Sequence, residues 1–423
     1  MLCIIMNINM LRLLNLSSKQ KIYIYFWNFG LINNILYVVI LSAAIDIVET
    51  DIPKSLVLLV DILPSLIIKL LSPFFIQRIK YTYRIICLIL LSCIGMIFVS
   101  LKQLDICLFG VALASLSSGL GEITFLQLTH IYKDIALNGW SSGTGGAGLF
   151  GSGLYLLFTT VLHVPVRITL LLFAILPFGF LLYFKLEFNQ DYESLSSHEI
   201  GRDQEALLQG PELGVFVGEH SNDQTIQDHI IGTLKRLRPL VFPYMLPLTT
   251  VYFFEYLINQ AVSPTLLFPI KEPKINSDIH SRSFLFHNYR DYYVTYGTLY
   301  QVGVFISRST AHIFRIRHLY VLSFLQVMNF IILAIQSWNY IVRKPWPIML
   351  LVIYEGLLGG SSYVNTFLNV LNDVPTEEKE FALGSVSIAD SLGILLAALV
   401  GIKLEPVLCK HQINDNRPWC TLE

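Results

Sequence analysis

Charge is scarce in this 423-residue chain: 14% of its residues are charged, and the formal net charge is -1. The basic residues are scattered between apolar runs and form no basic face or arm, which excludes a nucleic-acid-binding surface. Cysteine is sparse too. The six that occur (Cys3, Cys87, Cys93, Cys107, Cys409 and Cys420) show no CxxC or metal-ligand spacing. Neither a disulfide framework nor a zinc site is therefore expected, and no cofactor or other metal is called for. No soluble segment offers a Ser/His/Asp set, and the ten histidines fall mostly in loops, so the chain is not expected to be an enzyme. What it has in excess is apolar surface, with 54% hydrophobic residues and a mean hydropathy of +0.60. A water-soluble core cannot hide that much, and the composition predicts an all-α membrane protein in contact with the lipid bilayer.

Residues 2–14 are apolar but too short to span, and Lys19 and Lys21 follow the run instead of preceding it, unlike a secretory signal. Eleven stretches are long enough for helices across ~30 Å of hydrocarbon: roughly 22–46, 55–77, 84–101, 105–131, 139–162, 166–186, 240–270, 293–311, 319–337, 346–370 and 381–402. The expected organisation is a cytosolic segment over 1–21, six spans over 22–186, a flexible acidic linker over 187–239, five spans over 240–402 and a tail over 403–423. The linker region Glu187 to Arg238 carries ten acidic and four basic residues with little hydrophobic periodicity. With the amino terminus cytosolic, the inner segments of the first half hold twelve Lys and Arg and the outer ones three, which sets the orientation of that half. In the second half the inner loops hold four and the outer segments nine. Its topology rests on span counting.

The halves echo each other. Leu31-Ile32-Asn33-Asn34 matches Leu257-Ile258-Asn259-Gln260, and Thr124-Phe125-Leu126-Gln127 matches Thr366-Phe367-Leu368-Asn369. The offset of the second pair also aligns Gly151 with Gly393. Two parallel repeats separated by a polar linker predict pseudo-repeated helical bundles in a six-plus-five, major facilitator-like arrangement.

Polar side chains inside such spans are the candidate functional residues, because an ionisable group in hydrocarbon is expensive. Asp61 and Lys69 lie eight positions apart on a similar face of the second span, about 12 Å along the axis and too far to pair. Pro64 between them frees a backbone carbonyl, as helices lining cavities often do. Lys69 could otherwise snorkel to the inner interface. Glu122 and Glu255 fall one in each half and, with Asn33, Asn34, Asn259 and Gln260, could line the interface between halves; structural interhelical hydrogen bonds are the alternative, and for the asparagines the preferred one. Arg308 closes the eighth span, where it would suit a phosphate or carboxylate or simply begin the inner loop with Arg315 and Arg317. Glu355 and Asp390 complete the set. Beside Glu122 run six glycines within eleven residues; Gly143, Gly145, Gly146, Gly148 and Gly151 strip a helix face so that neighbouring backbones can approach. Gly143 to Gly148 also satisfies G-x-G-x-x-G, but with no preceding strand and no acid placed for a ribose it is not a dinucleotide site. Gly119-Leu120-Gly121-Glu122 is likewise no GxGD protease loop, since the acid is Glu and no second Tyr-Asp segment completes a dyad.

The strings NNILYVVILSAAIDI (33–47), DILPSLIIKLLSPF (61–74), SSGLGEITFLQLT (117–129), WSSGTGGAGLFG (140–151), VYFFEYLINQ (251–260), LYQVGVFISRS (299–309) and YEGLLGGSSYVNTF (354–367) resemble those of the battenin family, the Batten disease protein and its relatives. The resemblance covers nearly every span and implies a multi-pass protein of lysosomal, late endosomal or vacuolar membrane, distantly related to major facilitator transporters. It further implies export of glycerophosphodiesters, with effects on luminal pH and basic amino acid handling. Asp203-Gln204-Glu205-Ala206-Leu207-Leu208 in the linker fits an acidic dileucine sorting signal, built on Asp203, Leu207 and Leu208, for adaptor proteins. Relatives can end in a prenylation box, but Thr421 and Glu423 depart from a good one and eleven spans leave Cys420 in the lumen, so no prenylation is expected. The sequon at Asn15 lies on the cytosolic side and is expected to stay unmodified.

The expectation is then an alternating-access carrier for a small polar solute. In it Lys69 and Arg308 attract an anion, and Glu122 and Glu255 couple movement to protons or recognise hydroxyls. The competing expectation is a membrane organiser that transports nothing and recruits trafficking partners through its linker.

Overall fold

The computed structural model describes residues 17–47, 54–101, 103–186, 222–270, 289–311 and 313–421, and every regular element among them is helical. In chain order these are α1 (Ser18–Ile47), α2 (Lys54–Phe75), α3 (Tyr81–Val99), α4 (Leu104–Leu156) and α5 (Val166–Phe173), the last continued by a 3-10 segment (Leu176–Lys185). Then come α6 (Asn222–Leu240), α7 (Leu246–Leu257), α8 (Tyr289–Thr310), α9 (Leu319–Asn339), α10 (Pro345–Asp373), α11 (Thr376–Val386) and α12 (Ile388–Asn414).

Nine stretches among the described residues are long and apolar enough to cross a bilayer. One of them, Leu104–Thr159, has 56 residues, and as a straight helix it would run about 84 Å, far beyond one bilayer. It reverses at Lys133, where φ is 56°, a backbone conformation that a side chain with a Cβ adopts at a cost. The contacts with α1 trace the reversal. Phe26 meets Tyr132 and Phe29 stacks on Phe125 at 4.6 Å, so the first arm runs against α1. Gly139 abuts Tyr23, Gly143 abuts Trp27 and Gly151 abuts Val38, so the second arm runs along it. Helix α8 falls short of the hydropathy of the other spans because it carries Arg290, Asp291, Gln301 and Arg308. With it, and with α4 counted as two, the spans number eleven among the described residues.

Helices α2 and α3 also pack on α4, while α7, α9, α10 and α12 surround one another in the second half with α8 against α10. The α8–α10 crossing is close because Gly303 and Gly356 face each other; a Cβ on Gly303 would lie 3.1 Å from the Gly356 Cα. The matched segments of the two halves behave alike. Thr124 and Thr366 each donate to the carbonyl four residues back at 2.7 Å. Gln127 accepts from Arg84 at 2.7 Å, and its counterpart Asn369 donates to the Arg317 carbonyl at 3.0 Å. Gln127 thus ties its span to the first turns of α3 and Asn369 ties its own to the loop before α9, both at the inner end, the end expected to be cytosolic.

Two expectations need correction, and a third gains detail. Residues 222–240 of the linker are not irregular but form α6, whose apolar positions Ile226, Ile230, Leu234 and Leu237 recur at helical spacing. The tail over 403–423 is helix as far as Asn414, running through Pro406 without a break in the assigned element. Finally, Cys409 and Cys420 are joined in a disulfide, which a search for closely spaced pairs could not find at a separation of eleven residues. This bond pins the chain's end to α12, where Arg417 donates to the Ser337 and Trp338 carbonyls and Trp419 packs on Tyr340.

Candidate functional site

The residues nominated from sequence converge where the halves meet. Lys69, 1% exposed, does not snorkel. Its ammonium lies 2.6 Å from Glu122 Oε2 in its own half and 3.1 Å from Asp390 Oδ1 in the other, and it donates to Ser391 Oγ at 2.8 Å. Asp390 also accepts from the Ser391 backbone N–H at 2.6 Å. It can do so because α11 and α12 break at Ser387, which leaves Asp390 in the first turn of α12, where free N–H groups favour an anion. One lysine against two carboxylates leaves the cluster with a formal charge of about -1 when all three are ionised.

A chain of aromatic residues leads from this cluster to the second cation. Glu122 Oε1 accepts from the Tyr363 hydroxyl at 2.9 Å, and that hydroxyl accepts from Trp140 Nε1 at 3.1 Å. The Arg308 guanidinium lies over the Tyr363 ring, 4.2 Å from its centroid, an arrangement in which the ring quadrupole attracts the cation. Arg308 donates to Thr144 Oγ1 of the first half at 2.7 Å and to the Tyr252 hydroxyl of the second at 2.9 Å. Its Nε is buried without an acceptor. The glycines make this reach possible, since a Cβ on Gly145 would come within 3.2 Å of Arg308 and one on Gly148 would overlap Gln301. Gly143 and Gly151 instead admit α1, and Gly146 faces Phe150 and Phe305.

Glu255 and Glu355 belong to the second half. Glu255 accepts from the Tyr300 hydroxyl, and Asn259 Nδ2 donates to Glu355 Oε1 at 3.0 Å. Gln260 is half-buried next to them in the π-helical turn that ends α7. Asp61 lies apart, toward the outer end of α2, 3% exposed, with Oδ2 unpartnered. Asn33 and Asn34 do not join the lining; Asn33 Nδ2 donates to the Ser118 carbonyl and to Asn34 within the first half. The dileucine residues Asp203, Leu207 and Leu208 lie outside the described residues. Sequence reasoning missed Trp140, Thr144, Tyr252, Tyr300, Tyr363 and Ser391. Their signal was helical spacing from nominated residues: Tyr252 lies three before Glu255, and Tyr363 eight after Glu355.

The bonds between halves are concentrated toward the inner end. Besides those of Lys69 and Arg308, Ser142 meets Ser309 at 2.9 Å, Tyr81 donates to Glu380 at 2.7 Å with Arg84 3.9 Å from the same oxygen, and Gln127 packs on Gly384. Arg236 of α6 pairs with Glu378 at 2.9 Å and lies over the Phe381 ring. Toward the outer end, Tyr37 and Tyr256 share a hydrogen bond. Among the described residues the bonds between the halves are thus densest at the inner end, with the Gly148–Gln301 contact above them.

Comparison with known proteins gives the family and the fold. The family model described as CLN3 protein matches residues 24–411. Protein BTN1 of Saccharomyces cerevisiae is 60% identical over 412 residues, covering 96% of this chain and all of that one. Protein BTN1 of Candida glabrata is 56% identical over 422 residues with the same coverage. Among solved structures, the major facilitator superfamily proton:xylose symporter XylE superposes with a TM-score of 0.59 over 96% of this chain and 92% of that one. At 12% identity that likeness is one of fold.

Proposed function

The chain belongs to the CLN3 protein family, and on that premise we propose that it is a solute carrier of the lysosomal or late endosomal membrane. Its two halves would rock about a midplane site to export a small anionic metabolite, a glycerophosphodiester or a similar compound. Effects on luminal pH and basic amino acid handling would follow from that flux. The observation that carries the reading is Arg308. It is a guanidinium held between the halves whose hydrogen bonds, among the described residues, go to neutral hydroxyls, those of Thr144 and Tyr252. A phosphodiester could displace both hydroxyls and be held by two parallel N–H groups.

Lys69 plays a different part in this reading. Its charge is already taken by Glu122 and Asp390, so it serves as a bond between halves that must break when the inner end opens. The concentration of bonds between the halves at the inner end supports a carrier facing the lumen. The six-span and five-span groups would be the moving bodies, and the dileucine segment of the linker would supply the address through adaptor proteins.

The test is flux of a radiolabelled glycerophosphodiester in proteoliposomes containing this protein alone. Wild type is expected to carry the label, and Arg308→Ala to abolish transport at equal incorporation. Flux that survives Arg308→Ala discards the anion site; absence of any flux with wild type discards the substrate.

A further inference from the structure

Two carboxyl groups of the second half have no cation within ion-pair distance. Glu255 on α7 and Glu355 on α10 are 2% and 0% exposed, and one oxygen of each, Oε2 in both cases, is buried with no hydrogen-bond partner. The partners of the other oxygens are neutral donors, the Tyr300 phenol and the Asn259 amide. Gly359 on α10 leaves the space into which the Glu255 carboxylate fits, since a Cβ there would overlap it.

The groups facing the pair can be taken element by element. Helix α7 offers Tyr252, Tyr256 and Asn259; α8 offers Tyr300 and Arg308; α9 has no charged residue; α12, packed on α7, brings Asp390 to bear on Glu255; and the first half contributes Tyr37, bonded to Tyr256, with Asp61 beyond it. Glu255 acts on Glu355 as a like charge. If both were ionised, two like charges would sit in hydrocarbon with no ion pair of their own and only Arg308, already bonded to Thr144 and Tyr252, as a nearby cation, an arrangement proteins avoid by binding a proton or a cation.

We propose that Glu355 and Glu255 form the proton-binding site of the carrier, separate from the Lys69 cluster and placed wholly within the second half. Each carboxylate takes up one proton to become a neutral acid and releases it to water when the site is exposed. Coupling runs through Arg308. When Glu255 loses its proton, the carboxylate competes for the guanidinium, whose Nε has no acceptor, and draws it from Thr144, loosening a bond between the halves. Reprotonation returns Arg308 to Thr144. This inference rests on the carrier reading for its purpose but not for its test.

The test is infrared difference spectroscopy of the full-length protein in lipid nanodiscs, stepped between acidic and alkaline buffer. Wild type is expected to show the carbonyl stretch of a protonated carboxylic acid, lost in the alkaline step. Glu355→Gln and Glu255→Gln should each lower that band, and the double variant should lower it further to the contribution left by the buried Asp61, while Glu377→Gln, an exposed control, leaves it unchanged. Glu355→Asp, which keeps the acid, should shift the band without removing it, and this separates titration from loss of fold. An undiminished band in both Gln variants overturns the proposal, as does a wild type whose carboxylates are ionised throughout or respond to sodium instead of acid. In proteoliposomes, the ratio of flux with a pH gradient to flux without one should fall to about one in Glu355→Gln. Absence of wild-type flux would count against the carrier reading alone, since the infrared result stands without it.

Discussion

Lys69 of α2 and Asp390 of α12 meet 3.1 Å apart, although 321 residues separate them in the chain. This bond and that of Lys69 to Glu122 at 2.6 Å join the halves through a single ammonium. Its removal would strand two buried carboxylates.

Lys69→Met is therefore expected to destabilise the protein by about 3–5 kcal/mol, the usual consequence of leaving a buried charge unpaired. The triple variant Lys69→Met, Glu122→Gln, Asp390→Asn should recover most of that loss, because no uncompensated charge remains, yet not regain transport. Thermal melting in detergent beside a flux assay checks both. A triple variant no more stable than the single would place the cost in packing instead of charge.

The inner seal makes a graded prediction. Arg236 and Glu378 are substantially exposed, with side chains 36% and 43% accessible, so Arg236→Ala should cost under about 1 kcal/mol of closure. Glu380 bonds Tyr81 and faces Arg84, which is buried. Glu380→Ala should shift the population toward an inner-open state by more than Arg236→Ala does. The readout is modification of a cysteine introduced at Ser142 by a membrane-impermeant reagent, faster in the Glu380 variant.

Glycines divide by what surrounds them. Gly356→Ala would place a methyl group 2.9 Å from the Val304 nitrogen and should cost about 1–3 kcal/mol through overpacking. Gly153→Ala meets nothing within 4 Å and should be neutral or stabilise by about 0.5–1 kcal/mol through reduced backbone freedom. Melting temperatures of the two variants, measured side by side, decide this.

The disulfide at the outer end predicts a chemical pattern. Cys409 and Cys420 should resist maleimide–polyethylene glycol in denatured, unreduced protein and react after reduction, whereas Cys87, Cys93 and Cys107 should react in both. Closing a loop of this size is worth about 3 kcal/mol at most, so Cys420→Ser should lower stability modestly and leave a folded protein. A prenyl group on Cys420 would contradict both the bond and the assigned side.

Much of the fold was legible because hydropathy over twenty-residue windows reports spans directly. The exception has a physical cause. Residues 222–240 carry enough charge to hide an apolar stripe of helical period, whereas α8 was legible as a span over 293–311 despite its polar residues. For the site, the expense of charge in hydrocarbon was enough to nominate Lys69, Glu122, Glu255, Arg308, Glu355 and Asp390. Their pairing was not legible, because Lys69 chooses Asp390 over its neighbour Asp61 through tertiary packing that no local spacing encodes. The tyrosines were overlooked for a related reason: in an apolar span, Tyr252 and Tyr363 read as packing residues until their hydroxyls are seen against Arg308 and Glu122.

The account stands on two halves that exchange inner closure for outer closure. Double electron–electron resonance between spin labels, in a background lacking free cysteines, measures this directly. One pair, at Tyr83 and Phe314, reports the inner end and another, at Phe109 and Ile341, the outer; all four side chains are exposed. Wild type is expected to give a short inner distance and a long outer one, and Glu380→Ala to populate a longer inner and a shorter outer distance together. Single distances at both ends, unchanged by Glu380→Ala and by Lys69→Met, would contradict it.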